Sequence, residues 1–456
     1  MAVLWHRMAW VDMIALTKSG MSQAQGKHVA PDGRGTVAWR TALVAAVVGL
    51  STTLPVHAQD AAPTVPSLAS CLNTLRPDAP ANGVSVADFD RFTEGATLLV
   101  STVSSARGQP EGRETWWDYI AKTVDDERVQ EGRDIQTQYT DELTRVAQQY
   151  RVDPEALIAI FGIETNYGKQ IGKTRVLDAW LTRACTERNP LWKKNVYASI
   201  RLLRDDVVQA DSFVGSWSGA FGMTQFIPTS FYELAADGDG DGKIDLYHSL
   251  PDALASTANH LLKRRAKWTH GLPAVVEVTL PSAIQSGLPA DPQVEVAQTG
   301  NRATASAWAQ RGLRQADGQP LLPGGKGLQA DTPAYLFAPT GANGPVFLAT
   351  PNFDAILHYN QSKKYGLAVS LLVERLRGHP GVVTPWPTDD PGLSRAQVRE
   401  VQTKLNEQGF DVGTPDGIPG ARTRAAVQEV QRRAGLAENG RVGRKVYDLL
   451  TQGGRR

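Results

Sequence analysis

Residues 152–169 read VDPEALIAIFGIETNYGK, and from Ala156 to Ile163 the run is apolar on every side of a helix. A helix with no polar face must be enclosed by other elements, so this segment predicts a buried core helix. Asp153 stands where an N-cap belongs, Pro154 suits the first helical position, and Gly168 supplies a stop. Glu164 closes the apolar run in the last turn. A carboxylate there meets the negative end of the helix dipole and apolar surface, and both favour the neutral acid. A carboxyl kept protonated near neutral pH is a proton donor for a glycosidic oxygen. By position alone, a solvated glutamate at a frayed helix end is the plainer reading.

A second segment shifts that balance. Residues 215–232 read GSWSGAFGMTQFIPTSFY. Glycines 215, 219 and 222 let a backbone approach a ligand closely. Trp217, Phe221, Phe226 and Tyr232 have faces that stack on sugar rings, and Ser216, Ser218, Thr224 and Gln225 can hydrogen-bond sugar hydroxyl and acetamido groups. Each aromatic taken singly reads as core, and the cluster is what carries the signal.

These blocks resemble the lytic murein transglycosylase B family, whose catalytic domain is lysozyme-like. The resemblance rests on GIETNYGKQIGKTRVLDA (162–179), GSWSGAFGMTQFIPTS (215–230) and DGDGDGKIDLYHSLPDALASTANHL (237–261). DERVQEGR (126–133) and ATPNFDAILHYNQSKKYGLAV (349–369) extend it over residues 67–376. It implies that Glu164 protonates the bond between N-acetylmuramic acid and N-acetylglucosamine, then acts as base on the muramyl C6 hydroxyl, leaving a 1,6-anhydromuramic acid end. It also implies that Ser216, Gln225, Tyr359 and Asn360 hold the saccharide, beside the stacking candidates Trp217 and Phe226. An ordinary glycosidase needs a second carboxyl about 5–9.5 Å away. Asp178, Glu187 and Asp211 are candidates that spacing cannot place, so a muramidase-type hydrolase stays open, as does a non-catalytic wall-binding scaffold.

Residues 237–245 (DGDGDGKID) match the first nine positions of an EF-hand loop, with Asp237, Asp239 and Asp241 at positions 1, 3 and 5. Position 12 should be a bidentate Glu and is His248. Calcium-binding members of the family take a later Asp, and Asp252 is the nearest match, one residue further than expected. A structural Ca²⁺ suits this loop, the alternative being a solvated Asp/Gly turn. No cofactor is required for the chemistry.

Between 271 and 350, Gly, Pro and polar residues surround the short β-like runs 275–280, 334–338 and 346–350, a small β-rich insertion. Helical patterning covers 134–150, 190–210 and 251–268, and returns at 353–360 and 366–378. Residues 379–392 (HPGVVTPWPTDDPG) hold four prolines, the composition of a semi-rigid linker. Beyond it, Val398-x-x-Val-Gln-x-x-Leu405 recurs as Val427-x-x-Val-Gln-x-x-Ala434, two helices that pack together. Residues 393–452 resemble the small helical peptidoglycan-binding domain found on many wall enzymes, through PDGIPGARTRAAVQEVQRRAGL (415–436) and its flanks. The expected architecture is therefore mainly α: a lysozyme-like helical catalytic domain with a small β-rich insertion, and a small C-terminal three-helix peptidoglycan-binding domain.

Residues 41–54 are an apolar run behind Arg34 and Arg40, followed by small residues at Val56 and Ala58, a Sec-type signal peptide over 1–58. The long basic flank makes Met21 an alternative start, and an uncleaved anchor is the competing reading. Export to the periplasm favours a Cys71–Cys185 disulfide. Leu68-Ala69-Ser70-Cys71 also resembles a lipobox and ranks below the bridge. Lys plus Arg is 48 against 47 for Asp plus Glu, so no basic field exists to hold nucleic acid. The expected partner is the peptidoglycan glycan strand, met by a monomer with no stable membrane span in its mature form.

Overall fold

The computed structural model describes residues 67–99, 114–187, 189–263, 267–322 and 327–452. The expected signal over 1–58, the alternative start at Met21 and the stretch 59–66 lie outside the described residues. Among the described residues no helix is long and apolar enough to cross a membrane.

The helix Pro154–Thr165 runs through the main core, with Ala156 to Ile160 wholly buried. Helices Asp126–Gln138, Thr140–Tyr150, Leu250–Lys263 and Lys363–Leu376 all pack on it, the enclosure that its apolar surface demands. Both of its ends depart from expectation. Asp153 is the N-cap residue, but its side chain caps nothing. Its carboxylate accepts from Trp268 Nε1 at 2.7 Å and from the Gly271 N–H at 3.1 Å, and pairs with Arg377 at 3.1 Å. It joins the helix start to the segment that enters the sheet. At the other end the stop is Asn166, left-handed at φ 52°, with Gly168 two residues beyond it. The helix expected over 134–150 is likewise two helices, because Tyr139 (φ −114°, ψ 35°) leaves helical geometry between them.

Cys71 in helix Leu68–Leu75 and Cys185 in helix Val176–Thr186 are joined by a disulfide. The bridge spans a sequence separation of 114 residues. A loop of that size stabilises a fold by about 4–5 kcal/mol in chain-entropy terms. With its sulfur in the bridge, Cys71 has no thiol left for a lipid.

Residues 275–349 contain an antiparallel sheet. Its order is Val296–Ala297, Pro333–Ala338, Val346–Ala349, Val275–Thr279, Arg314–Gln315, with Ala303–Thr304 also pairing on Pro333–Ala338. The inner strands read as unbroken apolar runs because both faces are covered. Tyr335, Phe337 and Phe347 join the main core, while Leu336, Leu348 and Val276 build a second core with Trp308 and Leu313.

Composition suggests a spacer at 379–392, but the structure pins this segment down. The Val383 and Thr384 N–H groups donate to the Glu277 carboxylate at 2.8 and 2.7 Å, and Val382 and Trp386 pack on the main core. Helices Arg395–Glu407, Ala421–Arg433 and Arg444–Gln452 then close around Val398, Val401, Leu405, Val427, Val430 and Leu450. The repeated glutamines do more than mark a helix face. Gln402 accepts the Gly417 N–H and Gln431 the Gly440 N–H, each at 2.9 Å, while their Nε2 groups donate to the Ile418 and Arg441 carbonyls. Each copy of the repeat therefore clamps the turn beside it.

Candidate active site

Glu164 sits in the last turn of the core helix. Part of the residue reaches solvent, but Oε1 is buried without a hydrogen-bond partner. A helix C-terminus offers carbonyls rather than N–H groups, so nothing in the backbone solvates the anion. Burial pushes the carboxyl up to about 8, and the Tyr365 hydroxyl only partly opposes that rise. Burial also raises Tyr359 and Tyr365, with the nearby Glu164 charge adding to both. No carboxylate is among the groups that perturb Glu164. Two of the candidates for a second acid are engaged elsewhere and the third faces solvent. Asp178 accepts from Thr97 at 2.9 Å and faces Arg175, Glu187 accepts from Trp192 and faces Arg183, and Asp211 is exposed.

The backbone around Glu164 is unusual. Asn166 and Tyr167 have φ of 52° and 58°, and Gln225 in the facing loop has 55°. Left-handed geometry at residues with a β-carbon costs energy and persists where surroundings over-determine it. Thr165 Oγ1 donates to the Met223 carbonyl at 2.6 Å, and the Tyr359 hydroxyl donates to the Thr224 carbonyl at 2.5 Å. These bonds fasten residues 223–224 to the core helix that carries Glu164 and to the helix Pro351–Tyr359.

Residues 215–226 fold back on themselves through bridges Gly215–Phe221 and Phe221–Phe226. The glycines serve this closure first. A β-carbon on Gly219, at φ 90°, would stand 2.5 Å from the Trp180 indole nitrogen. The expected saccharide residues form a buried frame. Ser216 shares a hydrogen bond with Ser218 at 3.0 Å, Gln225 Nε2 donates to the Ile171 and Gly222 carbonyls, and Asn360 Oδ1 accepts from the Ser362 N–H. Tyr359 is likewise buried. Phe226 does not form an open stacking platform: it is buried against Tyr359 and His260, because the loop folds its apolar side onto the core. Phe221 is buried in the same way, while Trp217 is partly exposed.

Sequence reasoning passed over Tyr365. Tyr365 lies in the apolar stretch YGLAVSLLV, where a buried hydroxyl calls for a partner, and that was the available signal.

In the acidic loop, Asp237, Asp239 and Asp252 bring carboxylate oxygens within 4.8 Å of one another. Asp252, from the first turn of helix Leu250–Lys263, ties the loop by accepting the Gly238 and Asp245 N–H groups at 2.7 and 2.8 Å. Asp241 is not part of that cluster, and its carboxylate accepts the Lys243 N–H instead. His248 turns to Asp245. The three-oxygen set suits a hard cation such as Ca²⁺.

A mainly α, lysozyme-like domain with one buried acid facing a polar and aromatic loop defines a class of glycan-cleaving fold. Within that class the chain belongs to the transglycosylase SLT domain family, whose model matches residues 67–374, and residues 394–450 match a putative peptidoglycan binding domain. It is similar to the membrane-bound lytic murein transglycosylase B of Escherichia coli, at 31% identity over 256 residues, 56% of this chain and 65% of that protein. The match thus spans just under two thirds of that relative's length. SltB3 from Pseudomonas aeruginosa, solved in complex with NAG-anhNAM-pentapeptide, aligns with a TM-score of 0.63 and 37% identity over 84% of this chain and 99% of its own. The Escherichia coli lytic transglycosylase Slt35, solved in complex with calcium, aligns with a TM-score of 0.55 and 28% identity over 67% of this chain and 92% of its own.

Proposed function

We propose that the protein is a periplasmic lytic transglycosylase that cleaves the MurNAc-β-1,4-GlcNAc bond of peptidoglycan, with Glu164 as acid and then base. The observation that carries this reading is the buried Glu164 carboxyl, raised to about 8, with no carboxylate among its perturbing groups. At neutral pH it holds a proton. As the bond between muramyl C1 and the GlcNAc O4 breaks, that proton passes to O4. The carboxylate left behind then removes the C6 hydroxyl proton while C6 oxygen bonds to C1. The acid is regenerated, no water is consumed, and the new end is 1,6-anhydromuramic acid. Ser216, Trp217, Gln225, Tyr359 and Asn360 frame the saccharide, and Phe226 supports that frame from behind.

The reading is supported by the family match and by neighbours solved with peptidoglycan fragments. Residues 393–452 hold the enzyme on its polymer, which raises the local substrate concentration. Asp237, Asp239 and Asp252 would hold a structural Ca²⁺, which would stabilise the loop and take no part in the chemistry. The deciding experiment is mass spectrometry of muropeptides released from purified sacculi. Anhydro ends, lighter than hydrolysed ends by one water, are expected. Reducing ends would make the enzyme a hydrolase, and no release would leave a wall-binding scaffold.

A further inference from the structure

The C-terminal unit and the catalytic domain have separate apolar cores, and a cavity of about 950 Å³ opens along the seam between them. Polar contacts therefore carry much of the docking. Three arginines of the unit cross the seam, and one of them, Arg399, pairs with Glu127. Arg441 pairs with Asp118 at 2.6 Å and also with Asp390. Arg395 reaches further and is 8% exposed. Its Nε and Nη2 donate to the two Asp125 oxygens at 2.8 Å, and its backbone N–H adds a third bond to that carboxylate at 3.1 Å. Its Nη1 donates to Asn166 Oδ1 at 2.7 Å.

Both branches continue to the same turn. Asp125 caps helix Asp126–Gln138 by accepting the Arg128 N–H at 2.9 Å. The buried Arg128 guanidinium donates to the Gly162 carbonyl, and the Tyr167 hydroxyl returns to the Arg128 carbonyl at 2.7 Å. Gly162 and Asn166 stand two residues before and two after Glu164. Their own bond, Asn166 N–H to Gly162 carbonyl at 3.0 Å, closes the helix. Asn166 and Tyr167 hold left-handed φ, so this end needs outside support. There is no room for Tyr167 to shift inward, since a β-carbon on Gly162 would stand 2.6 Å from its ring.

We propose that Arg395, supplied by the C-terminal unit, is a positioning residue for the catalytic acid: by gripping Asp125 and Asn166 together it holds the turn that carries Glu164. The docked unit is then part of the catalytic frame as well as a tether. This rests on the reading of Glu164 as the acid and base.

The test uses the full chain and short soluble peptidoglycan fragments, on which a tether has no effect. Arg395→Lys keeps the charge beside Asp125 but loses the planar fork that reaches Asn166. We expect kcat to fall roughly ten- to a hundred-fold, as small misplacements of a reacting group do, with KM held within about two-fold. Amide exchange over residues 162–168 should quicken. Arg441→Lys, which loosens the same seam away from that turn, should leave kcat and that exchange unchanged. Asn166→Gly folds readily, because glycine accepts the left-handed region, and should reproduce the kcat loss. Wild-type kcat and exchange in Arg395→Lys, full kcat in Asn166→Gly, or an equal loss in Arg441→Lys would each overturn the assignment. If the wild-type chain cleaves nothing, the activity reading fails, while the exchange at 162–168 still decides the role of Arg395.

Discussion

Two carboxylates in this protein, Glu164 and Asp237, meet opposite treatment. Glu164 sits where a helix presents carbonyls, its Oε1 is buried without a partner, and burial raises it to about 8. Asp237 sits in a loop whose N–H groups converge on it, with Gly242 and Gly240 donating at 2.9 and 2.6 Å, and these bonds hold it below the usual carboxylate range. The difference lies in burial and in the N–H groups on offer. A buried helix end of carbonyls gives an acid that keeps its proton, and converging N–H groups keep Asp237 an anion. Burial raises Asp252 of the same cluster in spite of its two N–H donors.

The largest effect should come from replacing the acid itself. Glu164→Gln keeps shape but has no proton to give, so cleavage of sacculi should fall by at least about a thousand-fold, within the range for losing a general acid. Retention of wall binding would show that the frame survives. The same variant tests the burial argument through stability. The wild-type carboxyl ionises near 4.5 when unfolded and near 8 when folded. Ionisation therefore favours the unfolded chain increasingly from about pH 4.5 to 8, and the glutamine escapes this cost. The melting-temperature gap in favour of the variant should widen between pH 5 and 8. A constant gap would mean that Glu164 is solvated and the contrast with the loop is false.

The proton argument also gives a pH profile. Because the acid form is needed first, kcat/KM should decline as pH rises through about 8, by about ten-fold per unit beyond it. A decline starting near 5 instead would place Glu164 among ordinary carboxylates.

Much of this contrast was legible in the sequence, for a physical reason. The helix 154–165 is apolar all round, and any chain that buries it must bury the polar residue that ends it. The DGDGDG spacing likewise fixes a turn whose N–H groups point inward. What the sequence could not convey was partnership across distance. Asp153 reads as a cap by position and is taken by Trp268 and Gly271, over a hundred residues away. Phe226 reads as a sugar platform by type and is core. Arg395 has no local signature at all, since its role exists only once the C-terminal helices meet Asp125 and Asn166.

A smaller shift should follow from Tyr365→Phe. The Tyr365 hydroxyl is the one group that lowers the Glu164 carboxyl against burial. Without it the carboxyl should rise further, and the alkaline limb of kcat/KM should move upward by less than about one unit. Movement to lower pH would show that the hydroxyl stabilises the neutral acid instead.

The smallest effect on catalysis, and a purely structural one, belongs to the loop. Binding of Ca²⁺ to the folded chain stabilises it by about 2.7 kcal/mol at a hundred times its dissociation constant, which is several degrees in melting temperature for a domain of this size. Millimolar Ca²⁺ against chelator should therefore raise the melting temperature and leave kcat on soluble fragments unchanged. Asp239→Asn should remove the response, because it takes a charged oxygen from the cluster, whereas Asp241→Asn should preserve most of it, because Asp241 lies outside. An equal loss in both variants would mean that the loop closes around the ion with Asp241 turned inward, as its EF-hand spacing suggests. No response in the wild-type chain would leave the inward N–H groups serving the turn alone.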